Sequence, residues 1–215
     1  MTRPGQPGGS IKPIALLLAR TIMKLAGWRM EVNIPSTPRC LICVAPHTSN
    51  WDFIVGELAI RSAGMTAGFL MKSTWFFFPL GPLFRAIGGI PVHRSKPAND
   101  IEAAAESAME ALHPDDRRHV TQVVVSEFAR KPRLAIAVTP EGTRKPNPHW
   151  HRGLLVMAQE AQVPIVLAYI DYARRVACLD RIFQPTGDFD ADMQAIKTYY
   201  VGKASAARYP KKFTT

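Results

Sequence analysis

A single-domain α/β sandwich, built on a substantially parallel mixed sheet flanked by helices, is the fold class that this sequence predicts. Three observations predict it. Short apolar, β-rich runs alternate with helical patterns over most of the 215 residues, an order that favours parallel strands joined by crossover helices. The length suits one compact domain, and a hydrophobic content of 47% lies in the globular range. No internal repeat or linker-like stretch divides the chain.

Residues 1–10 are rich in Gly and Pro and have no apolar period, so they are expected to form a disordered leader. Residues 11–28 are expected to form an amphipathic helix. Arg20 and Lys24 interrupt its apolar run, which falls far short of the ~20 residues needed to span a bilayer. Lys12, Leu16, Arg20 and Lys24 recur every four residues beside Ile14, Leu17, Leu18, Leu25 and Trp28. That pattern suits a helix lying in a membrane interface, and equally one docked on the core.

Residues 29–34 alternate and read as a strand, and residues 40–45 read as a buried one. Thr48, Ser49 and Asn50 are N-cap candidates for a helix ending near Gly64. A strand over residues 66–71 precedes Trp75-Phe76-Phe77-Phe78-Pro79-Leu80-Gly81-Pro82-Leu83-Phe84, too broken by Pro and Gly for a long helix and too apolar for an ordinary loop. This segment is either buried cover or a lipid-facing wall. Helices follow over residues 99–112 and 120–128, then a strand over 134–138, a helix over 153–161, a strand over 163–170 and a helix over 188–204.

Cys40, Cys43 and Cys178 are odd in number. Residues three apart on a strand face opposite ways, so Cys40 and Cys43 are expected to pack in the core, with no metal site and a reducing compartment. The formal charge of +10 favours an anionic contact: acidic lipid, an acidic carrier protein or nucleic acid. Against nucleic acid, the clustered aromatics stand among Leu and Pro, apart from Lys and Arg, and no zinc-type pattern occurs.

His47 and Asp52 lie where the 40–45 strand hands over to a helix, and a carboxylate near an imidazole can orient it and stabilise its charged form. Alone, the pair is equally a half-buried histidine beside a capping aspartate. Two further segments, Gly88-Gly89-Ile90-Pro91-Val92-His93-Arg94 and Thr139-Pro140-Glu141-Gly142-Thr143-Arg144, each set an arginine after a strand-like run. Strand ends in open α/β sheets are where ligands bind, and two guanidinium forks suit a phosphate.

His47-Thr48-Ser49-Asn50-Trp51-Asp52, Gly89-Ile90-Pro91-Val92-His93-Arg94, Pro140-Glu141-Gly142-Thr143-Arg144 and Val163-Pro164-Ile165-Val166, in that order, resemble the four blocks of the glycerolipid acyltransferases that include lysophosphatidic acid acyltransferase. The resemblance runs over residues 39–172 and marks residues 29–215 as an acyltransferase domain. It implies that His47 deprotonates an acceptor hydroxyl and Asp52 holds His47. It further implies that Lys72, Arg94, Glu141, Gly142, Thr143 and Arg144 bind the acceptor's head group, with Trp75, Phe76, Phe77 and Phe78 along an acyl channel. The implied co-substrate is acyl-CoA or an acyl carrier protein, with no cofactor or metal. The implied acceptor is a lysophospholipid, and the implied location is peripheral, on the cytoplasmic face of an anionic membrane. Pro46, His93, Thr139 and Leu167 depart from the commonest form of the blocks.

Overall fold

The computed structural model of the chain describes residues 11–92 and 114–215. The leader, Arg94 and the helix expected over residues 99–112 lie outside the described residues.

The described elements run in the order α1 (Pro13–Leu25), β1 (Arg29–Val32), β2 (Arg39–Val44), α2 (Trp51–Ser62), β3 (Gly68–Lys72), α3 (Leu80–Ala86), β4 (Gly89–Val92), α4 (Pro114–Arg130), β5 (Leu134–Val138), α5 (Gly153–Glu160), β6 (Ile165–Asp171), β7 (Val176–Phe183) and α6 (Phe189–Val201). The strands form one seven-stranded sheet in the order β1-β7-β6-β2-β5-β3-β4. β6, β2, β5, β3 and β4 are mutually parallel; β7 runs antiparallel to β6, and β1 lies parallel to β7. β7 was not expected from the sequence. It returns directly from β6 as a hairpin, so no helical pattern marks it off.

Strand alternation divides the core. Leu41, Cys43, Ile136, Ile165 and Leu167 face α4, α5 and α6 through Val124, Phe128, Leu154, Leu155 and Ile196. Cys40, Ile42, Val166 and Leu179 face the other way, where α2 supplies Ile60, and Met23 of α1 packs with Val55 and Ala59. Cys40 and Cys43 thus enter different cores, as their spacing predicts, and burial pushes both thiols up to about 12. All three cysteines are free and buried.

Tyr200 of α6 ties this sandwich together. The register of β6 against β7 slips between Leu167 and Ala168. There the buried Tyr200 hydroxyl accepts the Ala168 N–H at 3.1 Å and donates to Cys43 O of β2 at 2.7 Å. A backbone donor left at an irregularity is satisfied by a side chain from the opposite layer.

Helix α1 is docked on the core along one face and exposed along the other. Ala19 and Met23 are buried against α2, and Arg20 Nε donates to Ser62 O at 2.9 Å, so one member of the basic strip tethers the helix. Ile14 and Leu25 remain 78% and 83% exposed, with Leu17 and Leu18 exposed between them. Trp28 lies beyond the helix and sets its ring edge-on to Tyr172 at 5.2 Å. Among the described residues no helix is long and apolar enough to cross a membrane.

The aromatic segment is not one loop. A single 3-10 turn, Ser73–Trp75, precedes α3, and Gly81 lets the chain double back: a Cβ there would lie 2.6 Å from Phe76 O. Gly88 has a φ of +100° and faces Ala67 O, which a Cβ would meet at 2.7 Å. Backbone cannot yield as a flexible side chain can. Gly88→Ala is expected to lower unfolding stability by about 1–3 kcal/mol, measured by urea denaturation. An unchanged midpoint would contradict the β3–β4 geometry.

Candidate active site

Parallel β2, β3, β5 and β6 present their carboxyl ends to one edge of the sheet, and β2 has β5 on one side and β6 on the other. The chain therefore leaves β2 at a switch point, where the crevice of an open α/β sheet forms. His47 lies there, between β2 and the first turn of α2.

Asp52, in that first turn, is 4% exposed and organises its surroundings. Its Oδ2 lies 3.0 Å from His47 Nδ1 and accepts the backbone N–H groups of Thr48 and Ser49, each at 2.9 Å. Its Oδ1 accepts the Tyr172 hydroxyl at 2.7 Å, from the residue after β6. Burial by itself would raise this carboxyl. The hydrogen bonds from His47, Tyr172 and the Ser49 N–H outweigh it and hold Asp52 below the ordinary aspartate value. An ionised Asp52 accepts from Nδ1, which leaves Nε2 of the neutral imidazole as a proton acceptor.

The helix starts where the sequence places it, at one of the three cap candidates. Asn50 takes the N-cap position in helical conformation without a side-chain cap, while Ser49 Oγ accepts the Trp51 N–H at 3.2 Å. The Asp52 carboxylate, in the first turn of the helix, holds the N–H groups of the two residues that precede the cap.

Glu141, which the resemblance places at the acceptor's head group, is 2% exposed. Its Oε1 accepts the His47 N–H at 2.8 Å, bracing the histidine loop from β5. Around it the loop after β5 is fixed by His151 N–H to Pro140 O at 2.8 Å, Asn147 Nδ2 to Glu141 O at 2.9 Å, and a φ of +68° at Gly142. Thr143 is buried, with Oγ1 accepting the Lys145 N–H at 3.2 Å, whereas Arg144 is exposed. Lys72 ends β3 on the same edge, half-buried.

Trp75, Phe77 and Phe78 are exposed, Phe78 to 86%, and Phe76 packs against Phe84 and Arg85. The exposed three form an apolar rim beyond β3. Trp51, Phe53 and Ile54 in the first turn of α2 are exposed as well. The structure thus joins His47, Asp52 and Glu141 in direct contact and leaves Lys72 and Arg144 along the same edge.

Two contributors have no sequence signal. Tyr172 is an ordinary residue after a strand, and Arg208 lies far along the chain. Arg208 sets its guanidinium 5.4 Å from the Trp51 ring centre and 5.6 Å from that of Tyr172, while the Tyr209 N–H donates to Thr48 Oγ1 at 3.2 Å. The C-terminal segment so closes over the back of the histidine loop.

A histidine oriented by a buried carboxylate, at the open edge of a parallel sheet, is an arrangement that can take up a proton. The Acyltransferase family profile matches residues 29–171, and the chain belongs to that family of acyl-transferring enzymes. The crystal structure of PlsC, the 1-acyl-sn-glycerophosphate (LPA) acyltransferase of Thermotoga maritima, has a similar fold, with a TM-score of 0.53 at 16% identity over 90% of this chain and 80% of that one. No curated protein matches the sequence.

Burial pushes the Glu141 carboxyl up to about 8, against the lowering effect of the His47 N–H and with a further rise from the Asp52 charge. Between the ordinary value of 4.5 and about 8 the folded chain therefore holds a proton that the unfolded chain has lost. Stability falls through this residue as pH rises across that window. Glu141→Gln removes the titration and keeps an acceptor for the His47 N–H. Urea unfolding should show the variant gaining on wild type between pH ~5 and ~8, by up to about 1.4 kcal/mol per pH unit. A difference independent of pH would contradict the burial of an uncompensated carboxyl.

Proposed function

We propose that this acyltransferase moves a fatty acyl group from an acyl thioester, acyl-CoA or acyl carrier protein, to the hydroxyl of a lysophospholipid, with 1-acyl-glycerol-3-phosphate as acceptor and phosphatidic acid as product. The observation that carries this reading is the His47–Asp52 pair at the sheet's open edge, within a chain of the Acyltransferase family. The 1-acyl-sn-glycerophosphate named for the similar PlsC structure supports the choice of acceptor.

In this reading His47 Nε2 takes the proton of the acceptor hydroxyl as its oxygen attacks the thioester carbonyl. Asp52 stabilises the resulting imidazolium. When the tetrahedral intermediate collapses, the carbon–sulfur bond breaks and the leaving thiolate takes the proton back from His47. No acyl-enzyme is formed. Arg94 and Arg144, with Lys72, serve the phosphate of the acceptor through charge-assisted hydrogen bonds, and Gly142 allows close backbone approach to it. Glu141 and Thr143 act from behind, holding the loops.

Membrane contact belongs to the same proposal. Ile14, Leu17, Leu18 and Leu25 on α1, with Trp75, Phe77 and Phe78 beyond β3, are exposed apolar groups on a chain of charge +10. Apolar groups that enter the interface and cations that meet anionic lipid together suit a peripheral enzyme on the cytoplasmic face.

The direct test is a panel of lyso-lipids with acyl-CoA and acyl carrier protein donors, read by mass spectrometry. Wild type should convert 1-acyl-glycerol-3-phosphate to phosphatidic acid, and His47→Ala should lose about 100- to 10,000-fold in rate. Retention of more than roughly a tenth of the rate in the variant lies outside that range and would remove His47 from the chemistry.

A paired Leu17→Ser and Leu18→Ser variant leaves the buried Ala19 and Met23 in place. It should bind anionic vesicles at least about tenfold more weakly, since each leucine fully withdrawn from lipid costs roughly 1.5–3 kcal/mol. Activity on a soluble short-chain acceptor should be unaffected. Equal loss on soluble and vesicle-borne acceptors would assign α1 a purely structural role.

A further inference from the structure

Tyr172 touches no group expected to meet substrate, yet it holds one of the two oxygens of the carboxylate behind His47. The three donors to Asp52 Oδ2 all come from residues 47–49. Oδ1 is held from another part of the fold, by the Tyr172 hydroxyl at 2.7 Å. That one bond ties the first turn of α2 to the carboxyl end of β6.

The phenol itself is fixed on three sides. Its ring meets the Trp28 edge at 5.2 Å and the Arg208 guanidinium at 5.6 Å, and its backbone N–H donates to Ala206 O at 3.0 Å. Burial, then the hydrogen bond to Asp52 and its charge, push the phenol's pKa upward, so it remains a donor. The titratable and charged groups around this network are His47 from the loop after β2, Asp52 from α2, Glu141 from the loop after β5 and Arg208 from the C-terminal segment.

We propose that Tyr172 is a positioning residue of the acyl-transfer reaction: its hydroxyl fixes the Asp52 carboxylate and moderates how strongly that carboxylate favours the charged form of His47. The inference rests on the reading of His47 as the base. A carboxylate that accepts a strong hydrogen bond shares its charge with the donor and offers less of it to the imidazole. Removing the phenolic hydroxyl frees Oδ1, so the carboxylate can turn, and leaves more charge facing His47. The first effect lowers the rate. The second favours the protonated imidazole and moves the acid limb of the pH profile upward.

The test measures acyl transfer to 1-acyl-glycerol-3-phosphate in detergent over pH ~5–9 for wild type, His47→Ala, Asp52→Asn, Tyr172→Phe and the Asp52→Asn/Tyr172→Phe double variant. Tyr172→Phe should lower kcat by about tenfold with little change in either KM, and raise the acid limb of kcat/KM by roughly half a pH unit. In the Asp52→Asn background the same substitution should change the rate less than about twofold, since it acts through a carboxylate no longer present. 3-Fluorotyrosine at position 172 keeps the ring and strengthens the donor, so it should move the acid limb downward. A full tenfold loss in both backgrounds, or a limb that stays put in both the Phe and the fluorotyrosine proteins, would reduce Tyr172 to packing and overturn the proposal. An active His47→Ala would overturn the underlying base assignment, whereas an inactive one with an unmoved limb in Tyr172→Phe would overturn only the role of Tyr172.

Discussion

The buried negative charge of Asp52 is the constraint on which the rest of this site depends. A carboxylate withdrawn from water is costly unless its oxygens are filled, and here they are filled by an imidazole, two backbone N–H groups and a phenol. Each donor comes from a segment that must then sit in one place. The loop after β2 curls so that Thr48 and Ser49 point their N–H groups at Oδ2, α2 begins where it does, and β6 must carry Tyr172 to Oδ1. Fulfilling the electrostatic demand of one residue fixes the position of His47.

The parallel sheet makes this possible. Because β2 is flanked by β5 and β6, the chain leaves each of the three strands at the same edge, and each exit adds one element of the network. β2 supplies His47, β5 supplies the Glu141 carboxyl that anchors the His47 N–H, and β6 supplies Tyr172. Tyr200 pins β2 to β6 from within the core, so the registry of the strands behind the histidine rests on a buried hydroxyl as well as on the ladder. The rigid part of the site is its base and orienter. Outside it Arg144 and the apolar side chains of Trp75, Phe77 and Phe78 are exposed.

Much of this was legible in the sequence, for physical reasons that can be traced to particular residues. β2 and β6 are continuous apolar runs because both of their faces are buried, and such runs are easy to see. Cys40 and Cys43 were placed on opposite faces by the two-residue period of a strand, and His47 and Asp52 by their position at a strand-to-helix junction. β7 was hidden because a hairpin return breaks the alternation of strand and helix, and Asp180 and Arg181 interrupt its apolar pattern. Glu141 stands beside Arg144 at a head group only through the family resemblance, which says nothing of burial; in the fold the loop at Gly142 leaves Glu141 buried and Arg144 exposed. Tyr172 and Arg208 were invisible because their roles arise from tertiary approach, across 120 residues in the case of Tyr172 and Asp52.

The central claim is that Asp52 holds His47 with the proton on Nδ1, so that Nε2 is the atom available to a substrate hydroxyl. Nitrogen-15 NMR of the histidine side chains, with His47 assigned by its absence in His47→Ala, tests this most directly. At a pH where the imidazole is neutral, the account predicts that His47 carries its proton on Nδ1, and that this preference weakens in Asp52→Asn. A His47 protonated on Nε2 in the wild-type protein would contradict it, because the nitrogen facing the substrate would then have no lone pair with which to take the proton.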